Sequence, residues 1–314
     1  MAVAVQGRRS SVQSRRNLRV ALVFLSPWIV GMVGLWLIPT VLSLYFAFTD
    51  YTGAVWPPHW VGLNNFVQMV DGTDPDFLTA VGVTAWWMLI SVPFGLIVGL
   101  AIALLLNWGV RGIGIYRTLF FMPSLVPFVG STVLFLWLFN PETGLVNQVL
   151  GALHLPQPGW FTDPNWAKPG LLFQSLWSIG ATIIIFLAGL QDVPVELHEA
   201  ASLDGAGTLS RFWHVTLPLL TPTIFFNLVL GMINAVQYFA QAFIVSTSPN
   251  SFGGAGEVGG PAGSTLFFAL HIYDQAFQQG NVGYSSALAW LLVVVVSALT
   301  LVVVRTSGRW VHYG

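Results

Sequence analysis

Six stretches of this chain run for about 20 residues or more without a single Lys, Arg, Asp or Glu. They fall near residues 20–48, 77–106, 118–139, 170–190, 219–245 and 284–304. Crossing about 30 Å of hydrocarbon takes about 20 apolar residues in a helix, so each stretch predicts a transmembrane helix. The first is longer than a signal-peptide core and lacks a small-residue cleavage site, so it reads as an uncleaved span. Pro27 and Pro39 are expected to kink it. Between the fourth and fifth stretches the pattern inverts. In "VELHEAASLDGAGTLSRFWHVTLP", residues 195–218, Glu196, Glu199, Asp204 and Arg211 crowd together, with Asp192 just before them. Four carboxylates in hydrocarbon would cost about 2.5–3.5 kcal/mol each, on the order of 10 kcal/mol together. Nothing nearby offsets that, so this polar island lies outside the bilayer.

The island carries its own helix signals. Pro194 suits a first helical turn, with Asp192 near the cap position. Glu196 and Glu199 come early, where the helix dipole favours them, and Gly205 and Gly207 stop the helix. The expected element is a short helix over 194–204, with Leu197, Ala200, Ala201 and Asp204 along one side. On the residues alone it is either a solvated loop helix or a docking segment.

Composition sharpens the class. Of 314 residues, 55% are hydrophobic and 7% are charged, against about 25% charged in soluble domains. The chain therefore uses lipid as part of its solvent. It has no cysteine, which excludes disulfides, thiolate metal sites and cysteine nucleophiles. Its one lysine, Lys168, follows Ala167, so no G-x-x-x-x-G-K-[ST] phosphate loop exists. Any ATP that drives this protein is hydrolysed by another polypeptide.

Positive charge sets an expected direction. Arg8, Arg9, Arg15, Arg16, Arg19, Arg111, Arg117, Arg211, Arg305 and Arg309 all fall on one side of a six-span chain, and the opposite loops hold only Lys168. The positive side faces the cytoplasm, so both termini and the island are expected there. Trp56, Trp60, Trp160 and Trp166 in the opposite loops suit an interfacial belt.

The fifth span is unusually polar. Asn227, Asn234, Gln237, Tyr238 and Gln241 fall within an arc of about 100°, one face of the helix. Amides donate and accept hydrogen bonds and a tyrosine ring offers a flat apolar face, a combination that suits sugar hydroxyls and sugar C–H faces. The other reading is interhelical hydrogen bonding, and both stand. Gln174 and Trp177 on the fourth span carry the same two readings. Three other features read as structure. The glycine-rich "GGAGEVGGPAG", residues 253–263, is a flexible loop. "HEAAS" lacks the second histidine of a zinc helix, because residue 202 is serine, and His198 and His214 lack a third ligand. Gly95 and Gly99 form a G-x-x-x-G of helix packing.

Glu199-Ala200-Ala201, three residues, Gly205, nine residues, Val215, one residue, then Leu217-Pro218 resembles the EAA signature of ABC importer permeases, with Val215 where isoleucine is usual. "WVGLNNF" (60–66), "YRTLFFMPSLVPFV" (116–129) and "WLFNPETGLVN" (137–147) resemble the carbohydrate-uptake branch, of maltose and glycerol-3-phosphate type. The resemblance implies an all-α integral membrane protein with six spans, of the type I ABC importer permease fold. Residues 1–17 would be an Arg-rich cytoplasmic tail and 18–314 the permease domain, in a bacterial inner membrane. The segment 192–218 would be a coupling helix that docks on an ATPase. It also implies partners: a second homologous permease subunit, two ATPase subunits that hold ATP and Mg, an extracytoplasmic solute-binding protein, membrane lipid and a sugar cargo. This chain would hold no cofactor or metal and have no catalytic residue, and nucleic acid is not expected as a partner. A self-contained secondary transporter or channel is the alternative. It predicts ionisable residues within the spans, and the six stretches contain no Lys, Arg, Asp or Glu. A membrane enzyme predicts a cluster of acids, histidines or a nucleophile near the bilayer surface. Only the island offers one, and its glycine spacing suits docking better.

Overall fold

A computed structural model describes residues 9–108, 112–248 and 258–312. Arg8, Arg111 and the glycine-rich residues 253–257 lie outside the described residues. Among the described residues the chain is helical, with one isolated β-bridge, Thr49 to Trp60.

The first span starts earlier than the polarity pattern predicts. Helix α1 (Arg9–Gly31) already includes part of the Arg-rich segment, and it passes through a π-helical stretch (Met32–Leu37) into α2 (Ile38–Phe46). Pro39 sits in the first turn of α2. Its missing N–H and the clash with the carbonyl four residues back are absorbed where the helix widens. The long helix Asn17–Phe46 buries no residue in its most apolar window, and Phe24 and Leu35 are more than 80% exposed. This surface matches hydrocarbon or another apolar chain. Only its end is tied down. Buried Asn65, in α3 (Asn64–Val67), donates from Nδ2 to the Ala47 and Thr49 carbonyls, both at 2.9 Å, and Trp60 stacks on Phe48. The "WVGLNNF" stretch is thus a clasp on the end of the first span.

The second span, α4 (Phe77–Leu106), has the expected bounds. The third departs from expectation. Helix α5 (Ile113–Phe121) tightens into a 3-10 turn (Met122–Leu125), and α6 (Phe128–Leu138) follows at a bend of 96°. Val126 is extended, as a residue before proline must be, and Pro127 caps α6. The 11 residues of α6 reach about 16 Å, about half the hydrocarbon thickness. The "WLFNPETGLVN" stretch is a turn: Asn140 Oδ1 accepts from the Glu142 and Thr143 amides, both at 3.0 Å. Helix α7 (Leu145–Ala152) follows, and its buried Asn147 accepts from Trp160 Nε1 at 2.8 Å. Trp160 is therefore a core residue rather than part of an interfacial belt, while Trp56, Trp60 and Trp166 are exposed.

The fourth span is also bent, by 53°, between α8 (Pro164–Trp177) and α9 (Gly180–Gln191). After the island come α10 (Val195–Leu203), α11 (Thr208–Arg211), a π turn (Phe212–Thr216) and α12 (Leu217–Leu219). The fifth span is α13 (Thr221–Val236) and α14 (Ala240–Thr247), interrupted at 237–239. The chain closes with α15 (Phe268–Tyr273) and the sixth span, α16 (Val282–Ser307). Among the described residues four helical runs, the interrupted fifth span counted as one, are long and apolar enough to cross a membrane, and the two bent pairs bring the number to six.

Small residues set the packing of α4, α9 and α13. A Cβ at Gly99 would stand 2.8 Å from Thr182 Cγ2, and one at Gly231 would stand 3.1 Å from Val92 Cγ1. Lipid gives helices no hydrophobic reason to associate, so close backbone approach supplies the contact energy. At the end of the bundle away from the island, Nε2 of His271 and the Tyr284 hydroxyl both donate to Asp74 Oδ2, at 2.7 and 2.6 Å. This lock joins the loop before α4 to α15 and α16.

Candidate functional site

Two places have chemistry beyond packing. The first is the island. Pro194 is the N-cap of α10, with extended ψ, rather than its first turn, and Asp192 caps the end of α9 instead. The reason is that α9 continues to Gln191, leaving three residues, Asp192 to Pro194, to turn the chain. Glu196 does lie in the first turn. The stop is as the glycine spacing predicts. Gly205 has φ +81°, its N–H donates to the Ser202 carbonyl at 3.1 Å, and the Ala206 N–H reaches the Ala201 carbonyl at 2.9 Å. These two bonds are the Schellman pattern. Helix α10 buries no residue. Glu199 and Ala200 are exposed, Ala201 is half-buried, and Leu203 is 90% exposed. Val215, within the π turn, and Leu217 and Pro218, opening α12, are half-buried and root the segment in the bundle. A cavity of about 610 Å³, lined by Leu104, Trp108, Leu190, Leu209 and Phe212 among others, lies behind α10. The island is a protruding helix with apolar residues turned to solvent.

The second place is an open cavity of about 690 Å³ between α4, α6, the α8–α9 joint and the fifth span. Asn234, Gln237, Tyr238 and Gln241 all line it. They meet there for a reason the sequence did not display. The fifth span is not one helix, so the supposed single arc is broken. Gln237 ends α13 at φ −95° and ψ 17°, and Phe239 precedes α14 at φ −130° and ψ −60°. The amides of residues 238–242 donate to no backbone carbonyl among the described residues, so the break adds backbone donors to the side-chain amides. The Tyr238 ring lies against Trp87 and Phe267, with centroids at 4.7 and 4.8 Å.

The other nominated residues lie elsewhere. Asn227 is buried and donates from Nδ2 to the Thr223 carbonyl at 3.0 Å. Gln174 is buried and donates from Nε2 to Thr132 Oγ1 at 2.7 Å. Trp177 packs edge-on against Phe135. These contacts are of the packing kind, although Gln174 also carries a buried Oε1 that no protein group meets among the described residues. The cavity instead takes Ser91 from α4 and Ser175, Ser178 and Thr182 from the α8–α9 joint. Their signal was available: 175, 178 and 182 recur at helical spacing, one stripe of small hydroxyls in an apolar run. Among the described residues, no Lys, Arg, Asp, Glu or His lines this cavity.

The sequence matches the family described as "Binding-protein-dependent transport system inner membrane component" over residues 91–312, which include the cavity's main walls and the whole island. The chain belongs to that family. It is a transport subunit, not an enzyme, and its place is the inner membrane. A probable ABC transporter permease protein of Bacillus subtilis (strain 168), YesP, is 38% identical over 309 residues, covering 97% of this chain and 96% of the relative. The sulfoquinovosyl glycerol transport system permease protein SmoG of Agrobacterium fabrum is 34% identical over 255 residues, 80% of this chain and 79% of that protein. Among solved structures, a bacterial alginate ABC transporter in complex with an alginate pentasaccharide-bound periplasmic protein is similar in fold. Its TM-score is 0.80 at 21% identity, covering 96% of this chain and 98% of that one. The chain thus has an ABC importer permease fold.

Proposed function

We propose that this permease subunit carries a sugar or sugar derivative inward through the open cavity, with α10 as the coupling helix to an ATPase. In this reading the island and both termini are cytoplasmic. The complete importer has a second permease, two ATPase subunits that bind ATP and Mg, and a solute-binding protein on the outer face. The relatives' cargoes, sulfoquinovosyl glycerol and alginate, make a carbohydrate the expected class. The observation that carries the reading is the chemistry of the cavity wall. Amides, hydroxyls and the rings of Trp87 and Tyr238 line it without an ionisable carboxylate, amine or imidazole. Such a wall pairs sugar hydroxyls and stacks on C–H faces. With no carboxylate or histidine among the described lining residues to take up a proton, this reading assigns the driving force to an ATPase acting through α10.

The test is reconstitution with the partner subunits in vesicles. The expected result is saccharide uptake that requires ATP, and none with this chain alone. Uptake by the single chain, or an assembly that moves no saccharide, overturns the proposal.

A further inference from the structure

Glycine inside a helix is destabilising relative to alanine, so each one needs a reason. Gly99 of α4 shows its reason: a Cβ there would stand 2.8 Å from Thr182 Cγ2 and 3.6 Å from Phe186 Cδ2, both on α9. Gly95 lies one turn earlier in the same G-x-x-x-G, yet a Cβ built on it meets no atom within 4 Å. Its missing side chain serves no contact within this chain. Gly95 lies instead on the cavity wall with Ser91, one turn before it, and with Ser178 and Thr182. One glycine of the pair permits close packing, and the other leaves the cavity open. Any side chain at 95 projects from the wall of α4 into open space.

We propose that Gly95 is a size-determining residue: its absent side chain sets how bulky a saccharide the permease admits. This rests on the reading of the cavity as the cargo path. A leucine at 95 would fill the space beside Ser91 and Thr182 without disturbing the α4–α9 seam, which Gly99 makes. Larger cargo would be excluded before smaller cargo. Alanine and leucine are both better helix formers than glycine, so neither variant weakens α4 itself.

The chain contains no cysteine, so a single introduced thiol is unique once cysteines of the partner subunits are replaced. In the assembled importer, Gly95→Cys and Gly99→Cys are compared for reaction with a small methanethiosulfonate ammonium reagent and with a bulky maleimide. Gly95→Cys should react about tenfold faster than Gly99→Cys, because a close-packed seam leaves no room for reagent. Gly95→Leu should co-purify normally with its partners. Its uptake should fall most for the longest members of a series of arabino-oligosaccharides and alginate oligosaccharides of increasing length, with Gly95→Ala intermediate. Equal labelling of the two cysteines overturns the proposal, as does failure of Gly95→Leu to assemble, which would make Gly95 a seam with the second permease. Equal loss across all lengths overturns it too. If Gly95→Leu leaves length preference unchanged while Gln237→Leu still slows uptake, the size role falls and the cargo path stands. If neither variant, nor Tyr238→Ala, changes uptake of any member, the cargo path falls with it.

Discussion

The island and the open cavity are both polar places in an apolar chain, and they are built in opposite ways. The island is one continuous segment that turns its polar and apolar side chains to solvent and buries nothing in α10. Its geometry comes from local rules: a proline cap, early acids, and a glycine at φ +81°. The cavity is assembled from four separated pieces: α4, the start of α6 at Phe128, the α8–α9 joint and the α13–α14 break. Its polar atoms lie among apolar side chains and depend on where two helices bend or stop. In the proposed reading, a surface that meets another protein is local, while a site that surrounds a sugar takes walls from several directions.

The sharpest way to break this contrast is at Gly205. A β-carbon at φ +81° costs about 1–2 kcal/mol, and the local end of α10 depends on that turn. Gly205→Leu should leave insertion and the cavity intact, since nothing lies within 4 Å of the new Cβ. ATP hydrolysis stimulated by the solute-binding protein should fall about thirtyfold, the equivalent of 2 kcal/mol. Co-purification of the ATPase measures the same loss. Parental stimulation would remove the docking role from this turn.

Next in size is Gln237→Leu at the helix break. Losing one amide partner of a sugar hydroxyl, and leaving the other group unpaired, costs about 1–3 kcal/mol. Uptake should drop roughly tenfold, with assembly unchanged. Tyr238→Ala should lower uptake too, but it also strips packing from Trp87 and Phe267, so assembly is the control. Poor assembly of Gln237→Leu would make the break a packing seam.

How much of each place was legible follows from the same contrast. The island's helix, its end at Asp204 and its glycine turn were readable because every determinant lies within about three turns of chain. Its start was not, because α9 runs on to Gln191 by packing of Leu187 and Leu190 in the bundle, and that displaced Asp192 from the cap. The bounds of α4 were readable from hydropathy alone. The 96° bend before α6 was not, although Pro123 and Pro127 stand on either side of it, since a run of apolar residues has the same hydropathy straight or folded. In the cavity, Asn234, Gln237, Tyr238 and Gln241 were found by their unusual polarity. Ser91, Ser175, Ser178 and Thr182 were missed, because small hydroxyls in spans satisfy themselves on their own backbone and attract no notice; Ser175 Oγ donates to the Leu172 carbonyl.

A smaller effect tests whether the cavity wall is braced from outside the membrane. Phe267, which touches Tyr238, lies just before α15, and α15 carries His271 of the Asp74 lock. Burial pushes the Asp74 carboxyl up, but the hydrogen bonds from Tyr284 and His271 outweigh it and hold the group below its usual 3.8. A carboxylate with a lowered folded value contributes stability that is full above the unfolded value and is lost as pH falls through the folded one. The Asp74 carboxylate should therefore keep its charge between pH 7 and about 5. Asp74→Asn removes the charge but keeps an acceptor, a loss of about 1 kcal/mol. Amide exchange in α15, corrected for intrinsic rate, should rise about fivefold at both pH values, while exchange in α10 stays at the parental rate. A change confined to low pH, or one that reaches α10, would contradict the separation of the two regions.

The smallest expected effect is at Asn227, and it separates polarity from function within one span. Asn227 lies seven residues before Asn234, about 10 Å along α13, and on a continuous helix the two share a face. Yet Asn227 is buried, does not line the cavity, and spends its Nδ2 on the Thr223 carbonyl one turn back. That carbonyl lies in the regular ladder of α13 and keeps the backbone N–H of residue 227 whatever the side chain. Asn227→Leu therefore leaves no buried acceptor orphaned and replaces the amide with an apolar side chain of similar size. Assembly and uptake should both stay within about twofold of the parental protein, because swaps that remove a self-satisfied polar group are nearly neutral. Asn234→Ala, on the cavity wall, should lower uptake several times more. If Asn227→Leu proves as damaging as Asn234→Ala, with assembly intact, then cargo meets the whole polar face of α13 and the path extends at least two turns beyond the break toward the island.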